Sequence, residues 1–237
     1  MKFSITPATP KLHQKKLRQS LRAARRDLSP LQQKFAAQAL AKNCSQLFVS
    51  SNFNQYLPQR NSHPSQPSQA SQGLGELNLL SFRQLKIASY IAGDGEIQTQ
   101  ALHRFLVQQG HSIYLPIIQS NGQLQFGLKP HNRRLARRNR FGILEPLRNK
   151  ALKAQQLDII VLPLVGFTHN CDRIGMGGGF YDKTLNAMQS FAKKPLLIGL
   201  AHSLQQVEVL STNPWDYPLD IIITDKTLFK RPAVRRW

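Results

Sequence analysis

Acidic residues are scarce in this sequence: 12 Asp and Glu stand against 32 Lys and Arg, leaving a net charge of +20 over 237 residues. Such a field attracts polyanions, so nucleic acid, a nucleotide and a poly-acid substrate all have to be weighed. Cysteine is rarer still. Cys44 and Cys171 are too few and too far apart for a disulfide framework or a zinc site, and a reducing cytoplasm is the expected setting. The chain lacks any run of about 18 apolar residues, which excludes a membrane-spanning helix, and its basic start lacks the apolar core of a signal peptide. Aromatics are only 8% and none interleave the first basic cluster, Lys11 to Arg26. Without a stacking platform or a known nucleic-acid module, no dedicated nucleic-acid partner is expected.

What is present has the pattern of one α/β domain spanning 1–237, long enough to bury a sizeable core. From Lys11 to Asp27, Leu17, Leu21, Ala24 and Leu28 recur at helical spacing and leave Arg18, Arg22, Arg25 and Arg26 largely on other faces. Ser29-Pro30-Leu31-Gln32 predicts a capped second helix with Phe35, Ala39, Leu40, Cys44 and Leu47 toward the core. The Ser, Gln and Pro bias of 59–75 predicts a disordered surface insertion whose deletion leaves the fold intact.

Strand and helix patterns then alternate. Strands are predicted at Ile87–Ile91, Ile113–Ile118, Leu124–Leu128, Asp158–Val165, Leu196–Leu200 and Asp220–Thr224, and helices at Gln98–Gln109, at Phe180–Phe191 and briefly after Ser203. The basic stretch 129–153 reads as surface loop. This alternation implies a mostly parallel sheet covered on both faces, a three-layer α/β/α sandwich. Ligands of such sheets bind beyond the carboxyl ends of the strands. That edge collects Gly93-Asp94-Gly95-Glu96, the loop after Val165, Ala201-His202 and Thr224-Asp225.

The densest chemistry lies in that second loop. An apolar strand is followed by Arg173, by glycines at 175, 177, 178 and 179, and by a segment able to open a helix. Glycine at this density serves positive φ or close backbone approach, and loop and helix amides attract phosphate. Arg173 adds a planar charged fork and Asp182 a hard oxygen ligand suited to magnesium. The spacing matches neither G-x-G-x-x-G nor G-x-x-x-x-G-K-S/T. A glycine-rich turn that only links strand to helix remains the alternative.

The string Arg173-Ile174-Gly175-Met176-Gly177-Gly178-Gly179-Phe180-Tyr181-Asp182 resembles the R-x-G-x-G-x-G-F/Y-Y-D signature of the 5-formyltetrahydrofolate cyclo-ligase family. The resemblance extends over nearly the whole chain outside the insertion and termini. It implies an ATP- and Mg²⁺-dependent closure of 5-formyltetrahydrofolate to 5,10-methenyltetrahydrofolate, giving ADP and phosphate. A formamide oxygen is a poor leaving group, and phosphoryl transfer to it removes that obstacle by positioning and charge neutralisation. The resemblance further implies that Arg173 and Tyr181 serve catalysis and that Arg173 through Tyr181 form the ATP loop, with Met176 to Phe180 also facing folate.

Asp182 and Asp216, the latter in Asn213-Pro214-Trp215-Asp216, match metal positions, and Ile91 and Glu96 match folate contacts. Leu17-Arg18 matches the family's N-terminal ATP-binding motif K-x-x-L-R, which implies ATP contacts from Gln14 to Arg18, with Gln14 where the family has lysine and Lys15 or Lys16 beside it to compensate. Read without the resemblance, Asp182 and Asp216 are caps, Glu96 is a first-turn helix residue and Arg18 a solvated charge. Just before Arg173 the usual glycine turn is replaced by Thr168-His169-Asn170-Cys171, and Asn170 is expected to take the left-handed conformation. Cys171, His169 and His202 are not expected to be catalysts. A small-molecule substrate, polyglutamated or not, and a monomer are expected. The competing classes are a basic polyanion-binding protein on a related fold, and a sugar-phosphate isomerase with a buried carboxylate base and no nucleotide.

Overall fold

The computed structural model describes residues 10–50, 53–58, 83–130, 136–139, 142–147, 150–213 and 215–232. The expected insertion at 59–75 lies outside these residues. Helix α1 (Pro10–Arg26) leads into α2 (Pro30–Val49), whose start is built as the sequence predicts. Ser29 Oγ accepts from Gln32 N at 3.3 Å and Gln32 Oε1 accepts from Ser29 N at 2.8 Å, with Pro30 at the first helical position. Ala37, Leu40, Cys44 and Leu47 are buried along one stripe. Phe35 does not join them and is exposed.

Seven strands form the main sheet in the order β11-β10-β9-β6-β1-β2-β3. The inner five, β10 (Ile221–Thr224), β9 (Leu196–Ala201), β6 (Ile159–Pro163), β1 (Lys86–Ala88) and β2 (Ser112–Ile118), are mutually parallel. Both edge strands, β3 (Leu124–Leu128) and β11 (Leu228–Lys230), are antiparallel. β6 is apolar throughout because it is covered on both faces. Leu40, Cys44, Leu102 and Leu106 of α2 and α3 (Gln100–Gln108) cover one face over Ile87, Ile159 and Val161. The other layer is thinner: α4 (Phe180–Asn186) with Leu185, supplemented by Leu157 and the 164–171 segment, covers Ile160, Leu162 and Ile222.

Several elements differ from expectation in extent. β1 stops at Ala88, α3 begins at Gln100, and α4 ends at Asn186. Within the basic stretch, β4 (Ala136–Arg138) and β5 (Leu144–Pro146) form a hairpin where loop was expected. Its Glu145 is buried and accepts from Ile118 N at 3.0 Å, which fastens the hairpin to β2. Three further acids fasten backbone in the same way. Asp158 receives Lys86 N at 2.9 Å and Arg83 at 2.5 Å, Asp220 receives Leu197 N at 2.8 Å, and Asp225 receives Ser203 N at 2.6 Å.

The strand order places a topological switch between β1 and β6. The chain runs β1 to β2 outward, then returns to the other side of β1 for β6, β9 and β10. A crevice opens beyond their carboxyl ends. Next to it α3 buries His103, which shares a 2.8 Å hydrogen bond with Ser89 Oγ. Burial lowers this imidazole from 6.5 to about 4. The unfolded chain therefore takes the proton first, and stability is lost as pH falls from 6.5 through about 4. The loss is expected to be about 3 kcal/mol. Urea titrations at neutral and acid pH should show His103→Gln with a correspondingly flatter pH dependence than the wild type; equal dependence would refute the assignment.

Candidate active site at the switch point

β6 continues through Leu164 and Val165 into a small hairpin, β7 (Gly166–Phe167) and β8 (Arg173–Ile174), that stands over the crevice. Its turn is closed by Thr168 N to Asp172 O at 3.0 Å and Cys171 N to Thr168 O at 3.1 Å. The left-handed residue is Cys171, at φ 66°, and not Asn170. Local turn geometry needs one such residue, and burying the thiol under Phe229 favours cysteine for it over the polar asparagine. Burial pushes that thiol up to about 11, so it is no nucleophile at neutral pH.

The hairpin delivers Arg173 almost fully buried, its guanidinium bonded to Asp182 in the first turn of α4. Tyr217 N reaches the same Asp182 Oδ1 at 3.4 Å. Arg173 Nε is buried and meets no acceptor among the described residues. A buried guanidinium N–H without a partner is costly, and an anionic ligand would satisfy it. Between Arg173 and α4 runs the glycine loop. Gly177 and Gly179 have φ of 96° and 67°, and a Cβ built on either would meet nothing within 4 Å. Positive φ therefore requires glycine here while the space in front of the loop stays open.

α1 lies across the crevice on the same side. Gln14, Leu17, Arg18, Leu21 and Arg25 share one face of the helix. Leu21 packs on Val165 and Ile174. Arg18 Nε donates to Gly175 O at 2.9 Å, and its far end donates to Gln14 Oε1 at 3.3 Å. The Gln14 amide donates in turn to Ser211 O at 2.5 Å. Gln14 thus ties the glycine loop to the 211 segment, whereas Lys15 and Lys16 are exposed on other faces. Ala24, expected toward the core, is exposed, and Arg25 takes the buried place instead.

From β1 the chain supplies the opposite lip. Ile91 is exposed, and Glu96 lies four positions before α3, so it is not a first-turn helix residue. Glu96 Oε2 accepts from Gly93 N at 3.1 Å and Oε1 stands 3.8 Å from Arg25. Burial raises the Glu96 carboxyl above its usual range, partly offset by Gly93 and Arg25. Burial and the Glu96 charge raise the half-buried Tyr181 phenol, which keeps it a hydrogen-bond donor and not a base. Met176 is exposed, with its sulfur 3.7 Å from Arg25, while Phe180 packs on the sheet.

Asp216 accepts from Asn213 N at 2.7 Å and Asn213 Nδ2 at 3.0 Å through one oxygen, so it does close a turn. The bonds of Trp215 O to Asn186 and of Tyr217 N to Asp182 hold its segment beside α4. Among the described residues no three His, Cys, Asp or Glu gather as a metal cage. Asp182 and Asp216 are the carboxylates here that could hold a magnesium, the first engaged by Arg173 and Tyr217 N and the second by Asn213.

The profile of the 5-formyltetrahydrofolate cyclo-ligase family matches residues 59–225. The chain belongs to that family. A 5-formyltetrahydrofolate cyclo-ligase of Haemophilus influenzae is 43% identical over 166 residues, covering 67% of this chain and 87% of that protein. The Escherichia coli K12 cyclo-ligase is 37% identical over 148 residues, covering 61% and 80%. The 5,10-methenyltetrahydrofolate synthetase of Aquifex aeolicus shares the fold, with a TM-score of 0.68 at 22% identity over 94% of this chain and 95% of that one.

Two further residues brace the site in this cyclo-ligase family member: Gln205, which the sequence pattern did not single out, and His202, which it placed at the carboxyl edge of the sheet without a catalytic role. Gln205, fully buried, donates to Leu164 O and Val165 O at 2.8 Å each and holds the end of β6. His202, buried, shares a 3.2 Å hydrogen bond with Gly95 O. Arg25 could have been found from its spacing with Gln14, Arg18 and Leu21 on one helical face.

Proposed function

We propose that this protein converts 5-formyltetrahydrofolate to 5,10-methenyltetrahydrofolate with hydrolysis of ATP to ADP and phosphate. The observation that carries the reading is the open glycine cradle beside Arg173, whose buried Nε has no acceptor among the described residues. Family membership supplies the substrate class. Bound ATP with Mg²⁺ would supply the γ-phosphoryl group that the formyl oxygen accepts, with ADP leaving, and the charge neutralisation that turns this oxygen into a leaving group. The residues of the chain do the placing.

Amides of Gly175 to Gly179 and the free N–H groups of Arg173 receive phosphate, and Arg18 keeps Gly175 oriented from behind. Asp182 and Asp216 hold the metal. Across the crevice Glu96 accepts pterin N–H donors, while Ile91, Met176 and Phe180 provide apolar contact. Tyr181, protonated, donates to the reacting formyl oxygen. In the overall balance a C–N10 bond forms, the formyl oxygen departs with phosphate, and the N10 proton passes to solvent. A basic crevice also suits a polyglutamated folate. The same reading takes the chain as one monomeric, cytoplasmic domain without a dedicated nucleic-acid partner.

Absorbance at the methenyl-folate band, followed on purified protein with 5-formyltetrahydrofolate and Mg²⁺, should rise only when ATP is added. No rise from a folded wild type would remove the enzyme reading and leave the polyanion-binding alternative.

A further inference from the structure

A second arginine at the crevice has no assigned task. Arg25 is fully buried, which for an arginine demands a complete set of partners. Nε donates to Asp94 O at 2.8 Å, one terminal nitrogen to Asp94 Oδ2 at 2.8 Å, and the other to Leu164 O at 3.2 Å. Leu164 directly follows β6, and Asp94 belongs to the loop after β1. One guanidinium therefore spans the two strands that flank the switch point. Its outward contacts are Glu96 Oε1 at 3.8 Å and Met176 Sδ at 3.7 Å.

The loop it grips carries backbone strain at Asp94, left-handed at φ 52°, and turns again at Gly95 with φ 74°. A Cβ on Gly95 would lie 2.9 Å from Arg25 O, so helix and loop are in backbone contact. Arg22 and Arg26 add ion pairs to Asp94 at 2.7 and 2.8 Å. Gln33 Nε2 bridges Arg25 O at 3.1 Å and Gly95 O at 3.2 Å, and His202 meets Gly95 O from the β9 side. Every one of these contacts fixes backbone or Asp94; among the described residues Arg25 is the one cation within 4 Å of the Glu96 carboxylate, which Gly93 N bonds from its own loop.

We propose that Arg25 is a positioning residue for the folate substrate: its buried guanidinium bolts the 93–96 loop, and with it the Glu96 carboxylate, to the end of β6. This rests on the reading of Glu96 as a folate contact. Lysine at position 25 keeps the charge and loses the fork, so Arg25→Lys frees the loop from Leu164 while leaving the glycine loop to Arg18.

The test is a steady-state comparison of wild type, R25K, E96Q and the R25K/E96Q double variant, with Asp94→Asn as a milder loosening of the same loop. In R25K the folate KM is expected to rise about tenfold while kcat stays within about threefold and the ATP KM within about twofold. The double variant should be little worse than E96Q alone, because the two residues act as one unit. A merely structural role would lower the melting midpoint and leave this KM split absent. Folded R25K with an unchanged folate KM, or with folate and ATP KM raised equally, overturns the proposal. Should R25K not melt cooperatively, D94N decides by the same split. If the wild type turns over no substrate, the activity reading fails separately. Calorimetric binding of 5-formyltetrahydrofolate then decides: about tenfold weaker binding by R25K retains the proposal, whereas equal affinity or no binding to either protein overturns it.

Discussion

Arg173→Met is expected to lower kcat/KM by about three orders of magnitude, the range seen when one preorganised cation or donor is removed from a phosphoryl-transfer or acyl-transfer site. Two features concentrate the effect at this residue. Its Nε is buried without an acceptor among the described residues, and its terminal nitrogen orients Asp182. Stability should suffer far less. Asp182 is part-exposed and keeps Tyr217 N, so the abandoned carboxylate can rehydrate at a cost of about 1–2 kcal/mol, a fall of roughly 2–8 °C in the thermal midpoint. Turnover within tenfold of wild type would remove Arg173 from the mechanism.

Asp182→Asn separates two roles that the Arg173–Asp182 pair leaves superposed. If the carboxylate ligates magnesium, the Mg²⁺ concentration for half-maximal rate rises steeply in the variant. If it only orients Arg173, that concentration is unchanged, and the double variant R173M/D182N is no slower than R173M.

Gly166→Val should damage the enzyme from a buried position under α1, outside the residues proposed to bind substrate, ATP or metal. A Cβ there would come 2.6 Å from Leu21 Cδ1 and 3.0 Å from Ile174 Cγ2, so α1 rests directly on the backbone of the β7–β8 hairpin. A branched side chain must push α1 away, at about 2–3 kcal/mol of overpacking and roughly 5–10 °C in midpoint. The displaced helix carries Arg18 off Gly175 O and Arg25 off Leu164 O. A displacement of about 1 Å in positioning groups costs on the order of a hundredfold in rate.

The check is a cycle with Leu21→Ala. That change alone opens a cavity and destabilises by about 2–4 kcal/mol, yet it makes room for valine. The double variant should therefore be more stable than the summed single effects by about 1–2 kcal/mol and should recover part of the lost activity. Strict additivity would show that α1 and the hairpin are not in contact in solution.

The parts of this protein legible in its sequence are those set by short-range rules. The Ser29–Gln32 capping box, the all-apolar β6, and the Arg173–Asp182 string announce themselves through residue type and spacing. What escaped depends on contacts far apart in the chain. Arg25 looks like one more charge on a basic helix until Asp94 and Leu164 are brought to it across 69 and 139 residues. The β4–β5 hairpin forms in a basic stretch because Glu145 is claimed by β2, which no local pattern reveals. Phe35 is exposed although apolar, since helical periodicity alone does not tell which stripe faces the sheet. Asn170 had the better intrinsic tolerance of positive φ, and the burial of Cys171 overrode it.

The commitment of five acids to bonds that fasten the fold gives sequence drift a direction. A lysine exposed on α1, such as Lys15 or Lys16, can be exchanged for a neutral residue without breaking an internal hydrogen bond among the described residues. Exchanging Asp94, Glu145, Asp158, Asp220 or Asp225 strips a clamp from a strand end, a loop or a hairpin. Mutations that pass selection will therefore collect on the cationic exterior, and the chain's strong positive charge is the property its descendants can most readily lose.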